Sequence, residues 1–441
     1  MQRIKIGQLL KRIKESITLE DNAAYKRVTI RTKNQGISLR DVEIGINIGT
    51  KKQFLVRNGQ FLLSKIDARH GAFGIVPKNL DRAIITGNFW TFEVNKELLN
   101  IEWFNIFVSS PYFIDICSKA SSGTTNRLYL DENKFLDFEL VLPNLVEQGL
   151  FVQKYKSINY KFEMILKQLV KQQIFVRKLR ESILLEGIQG SLVKQNENDE
   201  PAFKVLERIK LIKDNKKEKL LPQISDIEKP FKLPKGWEWT RLGNVISLLS
   251  DYHANGSYKI LKENVNLLDT EDYAIMVRIT NLGNNPSQDF KYITKEAYEF
   301  LKKSKLQPND IVMSKITDPG TVYIVPDLKK PMSLAMNLFM LRFHDTINSK
   351  YIYYYLKARE SYVKSFQGGT STKTITKDAV KGLILALPPL EEQKRIVDKI
   401  DHVMALCDEL ELNIEQSKLE SDKLIKAVLQ EAFTVKEEVL G

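Results

Sequence analysis

Near the end of the chain, apolar and small residues recur at steps of four and three: Ile396, Ile400, Val403, Cys407, Leu410, Ile414, Ser417, Ser421, Leu424 and Val428. Sustained over many turns, that rhythm is a coiled-coil seam rather than the apolar face of an ordinary surface helix. The same stripe occurs 245 residues earlier, at Phe151, Tyr155, Ile158, Phe162, Ile165, Leu169, Gln172, Val176, Leu179 and Ile183. Two long helices are expected, over 145–193 and 390–435. Short runs rich in Val, Ile, Phe and Tyr (YAIMVRIT, DIVMSKI, TVYIVP, LFMLRF) alternate with turn segments such as NLGNNPS and TDPG, and predict strands. One amphipathic helix is predicted at 349–366 with a counterpart at 100–119. Its tyrosines, Tyr351, Tyr354, Tyr355 and Tyr362, read as core packing rather than base stacking.

The offset also aligns residues that a shared heptad does not explain. Pro143 matches Pro388, Glu147-Gln148 matches Glu392-Gln393, and Lys154 matches Lys399. Upstream, FLLSKIDARHGAFGIVP (61–77) matches IVMSKITDPGTVYIVP (311–326), and SSGTTNRLYL resembles QGGTSTKTIT. The chain is therefore an internal duplication of α+β class. Globular domains are expected at 1–144 and 233–389, each handing over to a long helix. Between the halves, 194–232 reads as a charged linker with a short helix near 202–219 and lysines on a solvated face. The last strand of each domain, FELVLP or LILALP, ends at proline, which stops ladder pairing and is tolerated in a helix's first turn. LEEQ then places carboxylates at the positive end of the helix dipole.

Composition narrows the function. With 67 Lys+Arg against 55 Asp+Glu, the net charge of +12 suits a polyanionic partner such as nucleic acid. Two cysteines, Cys117 and Cys407, fit a reducing cytoplasm rather than a disulfide scaffold. The opening MQRIKIGQLLKRIKES has no apolar secretory core, and no uncharged apolar stretch is long enough to span a bilayer. There is no phosphate-cradling G-x-x-x-x-G-K-[ST] and no G-x-G-x-x-G after a strand. The four histidines stand apart from metal-ligand spacing. Asp67 and His70 form the one tempting acid–base pair, but the repeat counterpart ITDPG keeps no histidine. No catalytic residue and no metal site is expected.

LPKGWEWTRLGNV (233–245), GSLVKQNENDEPAFKVLERIK (190–210) and GGTSTKTITKDAVKGLILALPPLEEQKRIVDKI (368–400) resemble the specificity (S) subunit of type I restriction–modification systems. The resemblance covers nearly the whole chain. The first half departs from it, beginning at MQRIKIGQLL without the Leu-Pro-x-Gly-Trp lead-in and carrying LVLPNLVEQGL as a divergent junction. It implies two target-recognition domains in pseudo-two-fold arrangement, joined by two long antiparallel coiled-coil helices. It further implies a non-catalytic subunit in an anti-phage defence complex, binding double-stranded DNA and two methyltransferase (M) subunits, with restriction (R) subunits added. S-adenosylmethionine would sit on the M subunits, and ATP and Mg on the R subunits, none on this chain.

Base readout in the major groove needs donors, with Arg and Lys suited to guanine and Asn and Gln to adenine. Loop candidates in the first half are Arg31, Lys33, Asn34, Lys65, Arg69, Thr124, Thr125, Asn126 and Arg127. In the second half they are Arg278, Asn281, Lys315, Thr317, Asp318, Thr370, Ser371, Thr372 and Lys373. Positions kept in both halves, such as Lys65 and Lys315, suit phosphate contact or packing better than the reading of two different sequences. Three other readings stay open: a stand-alone DNA-binding regulator, a coiled-coil assembly protein whose basic charge is incidental, and a cryptic hydrolase centred on Asp67 and His70.

Overall fold

The protein's structure, a computed structural model, describes residues 2–124, 127–283 and 286–433. It divides into two units, Met1–Gln172 with Ile414–Gly441, and Gln173–Asn413.

Each unit is built on the same frame. In the first, Gln2–Lys5 pairs antiparallel with Glu139–Leu142. Beside it lies a four-stranded sheet in the order Leu10–Ile13, Phe89–Val94, Phe61–Ser64, Phe73–Ile75. In the second, Glu238–Arg241 pairs with Ile384–Leu387, and the sheet order is Ile246–Asp251, Leu338–Phe343, Ile311–Ser314, Val322–Ile324. The registers agree too: Phe61 faces Ile75, and Ile311 faces Ile324.

The central strand of each frame is buried on both faces, which is why its sequence shows an unbroken apolar run instead of alternation. Phe61 and Leu63 enter a core with Phe92, Phe104 and Phe113, whereas Leu62 enters another with Val28 and Val56. Ile311 and Met313 likewise join one core and Val312 another.

What covers the second face differs between units. The first carries a five-stranded sheet in the order Ser16–Thr18, Lys52–Leu55, Ile84–Ile85, Ala24–Ile30, Ile37–Ile44. The second carries a four-stranded sheet in the order Lys291–Ile293, Ala274–Val277, Met332–Leu334, Lys305–Leu306, with its two middle strands parallel. These inserts share neither order nor strand number.

Both predicted amphipathic helices are broken in two. Ile101–Val108 ends before Ser110, which caps Pro111–Lys119, and Pro111 lacks the N–H that would continue the first helix. Ser349–Ala358 stops at Arg359, whose φ of −112° and ψ of 30° are not helical, and Glu360–Lys364 follows. Tyr351, Tyr354 and Tyr355 are buried in the core, as the sequence predicts.

The long helices run over Leu145–Gln189 and Leu390–Phe433. In the second unit Arg180 reaches Asp408 and Glu411 of the second helix, while Gly187, further along the first, packs on Ile396 and Ile400. Rising numbers on one helix meet falling numbers on the other, so the pair is antiparallel. The approach is close at Gly187: a Cβ there would lie 3.0 Å from Ile400 Cδ1 and 3.3 Å from Ile396 Cγ2, so a larger residue would push those side chains back. In the first unit Phe151, near the start of one helix, meets Phe433 at the end of the other with ring centroids 5.1 Å apart.

The seam is partly displaced from its expected register. Phe162, Leu169, Val176 and Ile183 are buried at heptad spacing, as are Ile400, Cys407 and Ile414, with Ile396 also buried. Phe151, Ile158 and Val403 are half-buried. Ile165, Leu179, Leu410 and Leu424 are instead 47%, 44%, 46% and 56% exposed, and their C-terminal neighbours Leu166, Arg180, Glu411 and Ile425 take the intervening places. Hydropathy alone does not separate Ile165 from Leu166. At Leu179-Arg180 it is Arg180 that faces the partner helix, where it pairs with Asp408 and Glu411.

The linker helix spans Ala202–Asn215 rather than continuing to 219. It is not wholly solvated: Val205 and Ile209 are buried, and buried Lys213 donates to the Gly243 carbonyl at 3.0 Å.

Candidate nucleic-acid interface

The turn after each central strand organises the candidate residues. In the first unit Lys65 donates its backbone N–H to Asn88 O (3.0 Å) and accepts at its carbonyl from Leu130 N (2.8 Å). In the second unit Lys315 donates to Asn337 O (2.9 Å) and accepts from Ile375 N (3.2 Å). The same two main-chain bonds therefore tie each turn to the neighbouring strand and to the returning Gly-Thr segment. The turn that carries Ser-Lys-Ile is thus a shared part of the frame.

Around the first turn several expected residues converge. Arg69 donates from Nε to His70 Nε2 (3.0 Å) and from Nη1 to Leu128 O (3.3 Å), which holds it against the strand Arg127–Leu130. Lys65 Nζ lies 5.9 Å from the Tyr129 ring centroid. Lys33 N and Asn34 N donate to His70 O and Gly71 O, with both residues at positive φ. Asn34 Nδ2 donates to Ser109 O, while its Oδ1 is buried without a partner among the described residues. Arg31 and Lys33 are exposed. Thr125 and Asn126 lie outside the described residues, as do the side chains of Thr124 and Arg127. Asp67 and His70 engage separate partners: Asp67 accepts from Ser64 Oγ, and His70 from Arg69.

The second unit sorts its candidates differently. The Lys315 ammonium is paired with Asp251 at 2.9 Å, and Lys377 contacts the other carboxylate oxygen at 3.2 Å. Burial pushes the Asp251 carboxyl up, but the two ammonium groups outweigh it and hold it below the usual range. Asp318 is committed to Lys364 (2.8 Å) and accepts from Thr321 Oγ1 (2.6 Å). Thr317 is exposed at φ +69°, and Thr370, Ser371, Thr372 and Lys373 form an exposed loop closed by Gly368 and Thr374.

Asn281 is buried, so it does not present an amide to a base edge. It accepts from Arg278 N (3.2 Å) and donates to Ser287 O and Asp289 O. Arg278 is partly exposed and salt-bridged to Asp289 at 3.2 Å.

One polar cluster was invisible to motif reading. Glu392 is 1% exposed and accepts from Trp237 Nε1 (3.0 Å) and Gln195 Nε2 (2.6 Å), and Arg395 next to it pairs with Asp199 at 2.6 Å. Burial raises the Glu392 carboxyl, against the lowering effect of those donors. Its signal was the pairing of LPKGW with LEEQ, two segments distant in sequence. Among the described residues, no cluster of potential metal ligands occurs, and no helix is long and apolar enough to cross a membrane.

A family model described as the type I restriction modification DNA specificity domain matches residues 234–420. The chain is 30% identical over 254 residues to the type I restriction enzyme EcoAI specificity subunit of Escherichia coli, covering 54% of this chain and 42% of that protein. It is 29% identical over 278 residues to the EcoEI specificity subunit, also of Escherichia coli, covering 58% and 44%. The matched segments thus span less than half the length of these relatives. The fold resembles the crystal structure of the HsdS subunit from Thermoanaerobacter tengcongensis, with TM-score 0.58 and 18% identity over 98% of this chain and 96% of that one. A chain solved in work on complex assembly and conformational transition of the type I R-M system gives TM-score 0.65 and 18% identity, over 98% and 97%.

Proposed function

We propose that this chain, which belongs to the family of type I restriction–modification specificity subunits, is the non-catalytic subunit that selects the DNA site. Each unit reads a few base pairs of one component of a bipartite, asymmetric site in double-stranded DNA, and the base pairs between are unread. The chain positions two methyltransferase subunits, which carry S-adenosylmethionine and methylate adenine. Restriction subunits carrying ATP and Mg join the same complex, and the system works in the cytoplasm.

The observation that carries this reading is a duplicated frame bearing two unlike inserts. One frame used twice fits one task performed twice, and inserts of different strand order fit two different texts. Lys65 and Lys315, held alike by main-chain bonds in both copies, then serve the frame or the phosphates. Mapping methyladenine genome-wide with and without this gene tests the reading. The expected result is a two-part motif, methylated on adenine, that disappears with the gene. An unchanged methylation map would overturn it.

A further inference from the structure

The two units share the frame and differ in the insert, so a residue that reads bases in one half-site belongs on the insert where it meets the frame. In the second unit, Arg278 occupies that junction. It follows the insert strand Ala274–Val277, and with Ile316 and Thr317 of the frame turn it lines a cavity of about 490 Å³. Its backbone N–H is held by Asn281 Oδ1 at 3.2 Å, and its Nη2 is held by the Asp289 carboxylate at 3.2 Å and by the Asp289 carbonyl. Asn281 Nδ2 in turn fixes the Asp289 carbonyl at 3.2 Å. The guanidinium is thereby fixed at one edge while the side chain remains 29% exposed. Among the described residues, Nη1 has no bonded partner.

Nε is buried without a partner among the described residues and Nη2 is committed to Asp289, so Nη1 is the donor left to meet the O6 or N7 acceptor of guanine, and a guanidinium immobilised before DNA arrives loses less side-chain freedom on binding. The other basic candidates near this turn suit the task less well. Lys315 and Lys364 each hold their one ammonium on a carboxylate, Asp251 or Asp318, and have no second nitrogen to present, and Lys373 lies on the loop that mirrors the first unit's Gly-Thr segment.

We infer that Arg278 reads a guanine in the DNA component bound by the second unit, with Asp289 and Asn281 as positioning residues. This rests on the specificity-subunit reading above. The test is the methylation motif written in cells by the complete methyltransferase complex carrying Arg278→Ala, Arg278→Lys or Asp289→Asn. Arg278→Ala should relax one G·C position of one component, lowering the preference for guanine there roughly tenfold to a hundredfold, and leave the other component unchanged. Arg278→Lys should relax the same position, because one ammonium cannot both stay on Asp289 and present a second, separately held donor to the base. Asp289→Asn should relax it less.

An unchanged motif in Arg278→Lys together with Asp289→Asn would overturn the assignment, even if Arg278→Ala failed to assemble. Relaxation at an A·T position, or a uniform loss of methylation rescued by Arg278→Lys, would also overturn it, the latter marking a phosphate contact. A wild-type complex that writes no bipartite motif would instead refute the specificity-subunit reading, and this assignment with it.

Discussion

The Trp237 indole N–H donates to the Glu392 carboxylate at 3.0 Å, joining the start of the second globular domain to the first turn of the helix that follows it. Both side chains are buried. Trp237→Phe keeps most of the packing and removes the donor from a buried acceptor, so the intact chain should lose about 1–3 kcal/mol in urea denaturation. An unchanged midpoint would mean that the bond contributes nothing.

The same carboxyl gives a pH signature. Burial raises the Glu392 value in the folded state above the 4.5 of the free side chain, so the folded state holds this proton more tightly than the unfolded chain. Its contribution becomes more favourable as pH falls from the folded value to 4.5, and is constant above and below that window. The stability difference between wild type and Glu392→Gln should shift toward wild type as pH falls through the window. A flat difference, or one shifting toward the variant, would contradict the burial effect.

Gln148 and Gln393 perform one task in the two units. Gln393 Oε1 accepts from Asn348 N at 2.9 Å, and Gln148 Oε1 accepts from Asn100 N at 2.7 Å, each just before a helix that the asparagine itself caps. Their amides return to the Pro388 and Pro143 carbonyls at 2.9 and 2.8 Å. Gln393→Ala and Gln148→Ala each strand a buried donor and acceptor, and should each cost about 1–3 kcal/mol. If only one variant were destabilised by equilibrium denaturation, the two sites would not be equivalent.

Arg180 faces Asp408 and Glu411 across the antiparallel helices. Arg180→Glu places three carboxylates together and should lower Tm by roughly 2–4 °C. Adding Asp408→Lys and Glu411→Lys should restore most of the loss in low salt. Differential scanning calorimetry in which the triple variant is no more stable than the single would exclude the charge pairing.

If the long helices set the distance between the two DNA components, a seven-residue insertion in each, made at facing positions, lengthens them by about 10 Å. The methylated motif should then gain about three unread base pairs at 3.4 Å each. Sequencing of methyladenine in cells carrying the lengthened chain reads this directly, and an unchanged spacer would refute the ruler.

The frame was legible in the sequence because its signals are strong and repeated. Pro143 and Pro388 end the last strands, and Phe162, Leu169 and Val176 hold their heptad spacing. The intervening seam positions were not, since Ile165 and Leu166 are both strongly apolar and the partners of Arg180 lie on a helix more than 200 residues away in sequence. In the inserts YAIMVRIT was legible as a strand but the sheet order was not, because these short strands pair with segments far away in sequence, as Ala274–Val277 does with Met332–Leu334. For the same reason Asn281 read as a donor for adenine. Its burial depends on Asp289 folding back over it.

Lys65 and Lys315 each tie their turn to two neighbouring segments through peptide groups, which every residue except proline supplies in full. Side chains elsewhere in the inserts are thus released from the duty of keeping the holder in shape. On the proposed reading, the address written in one copy could drift or be exchanged while its twin stays legible, so a new destination would need one edit rather than two.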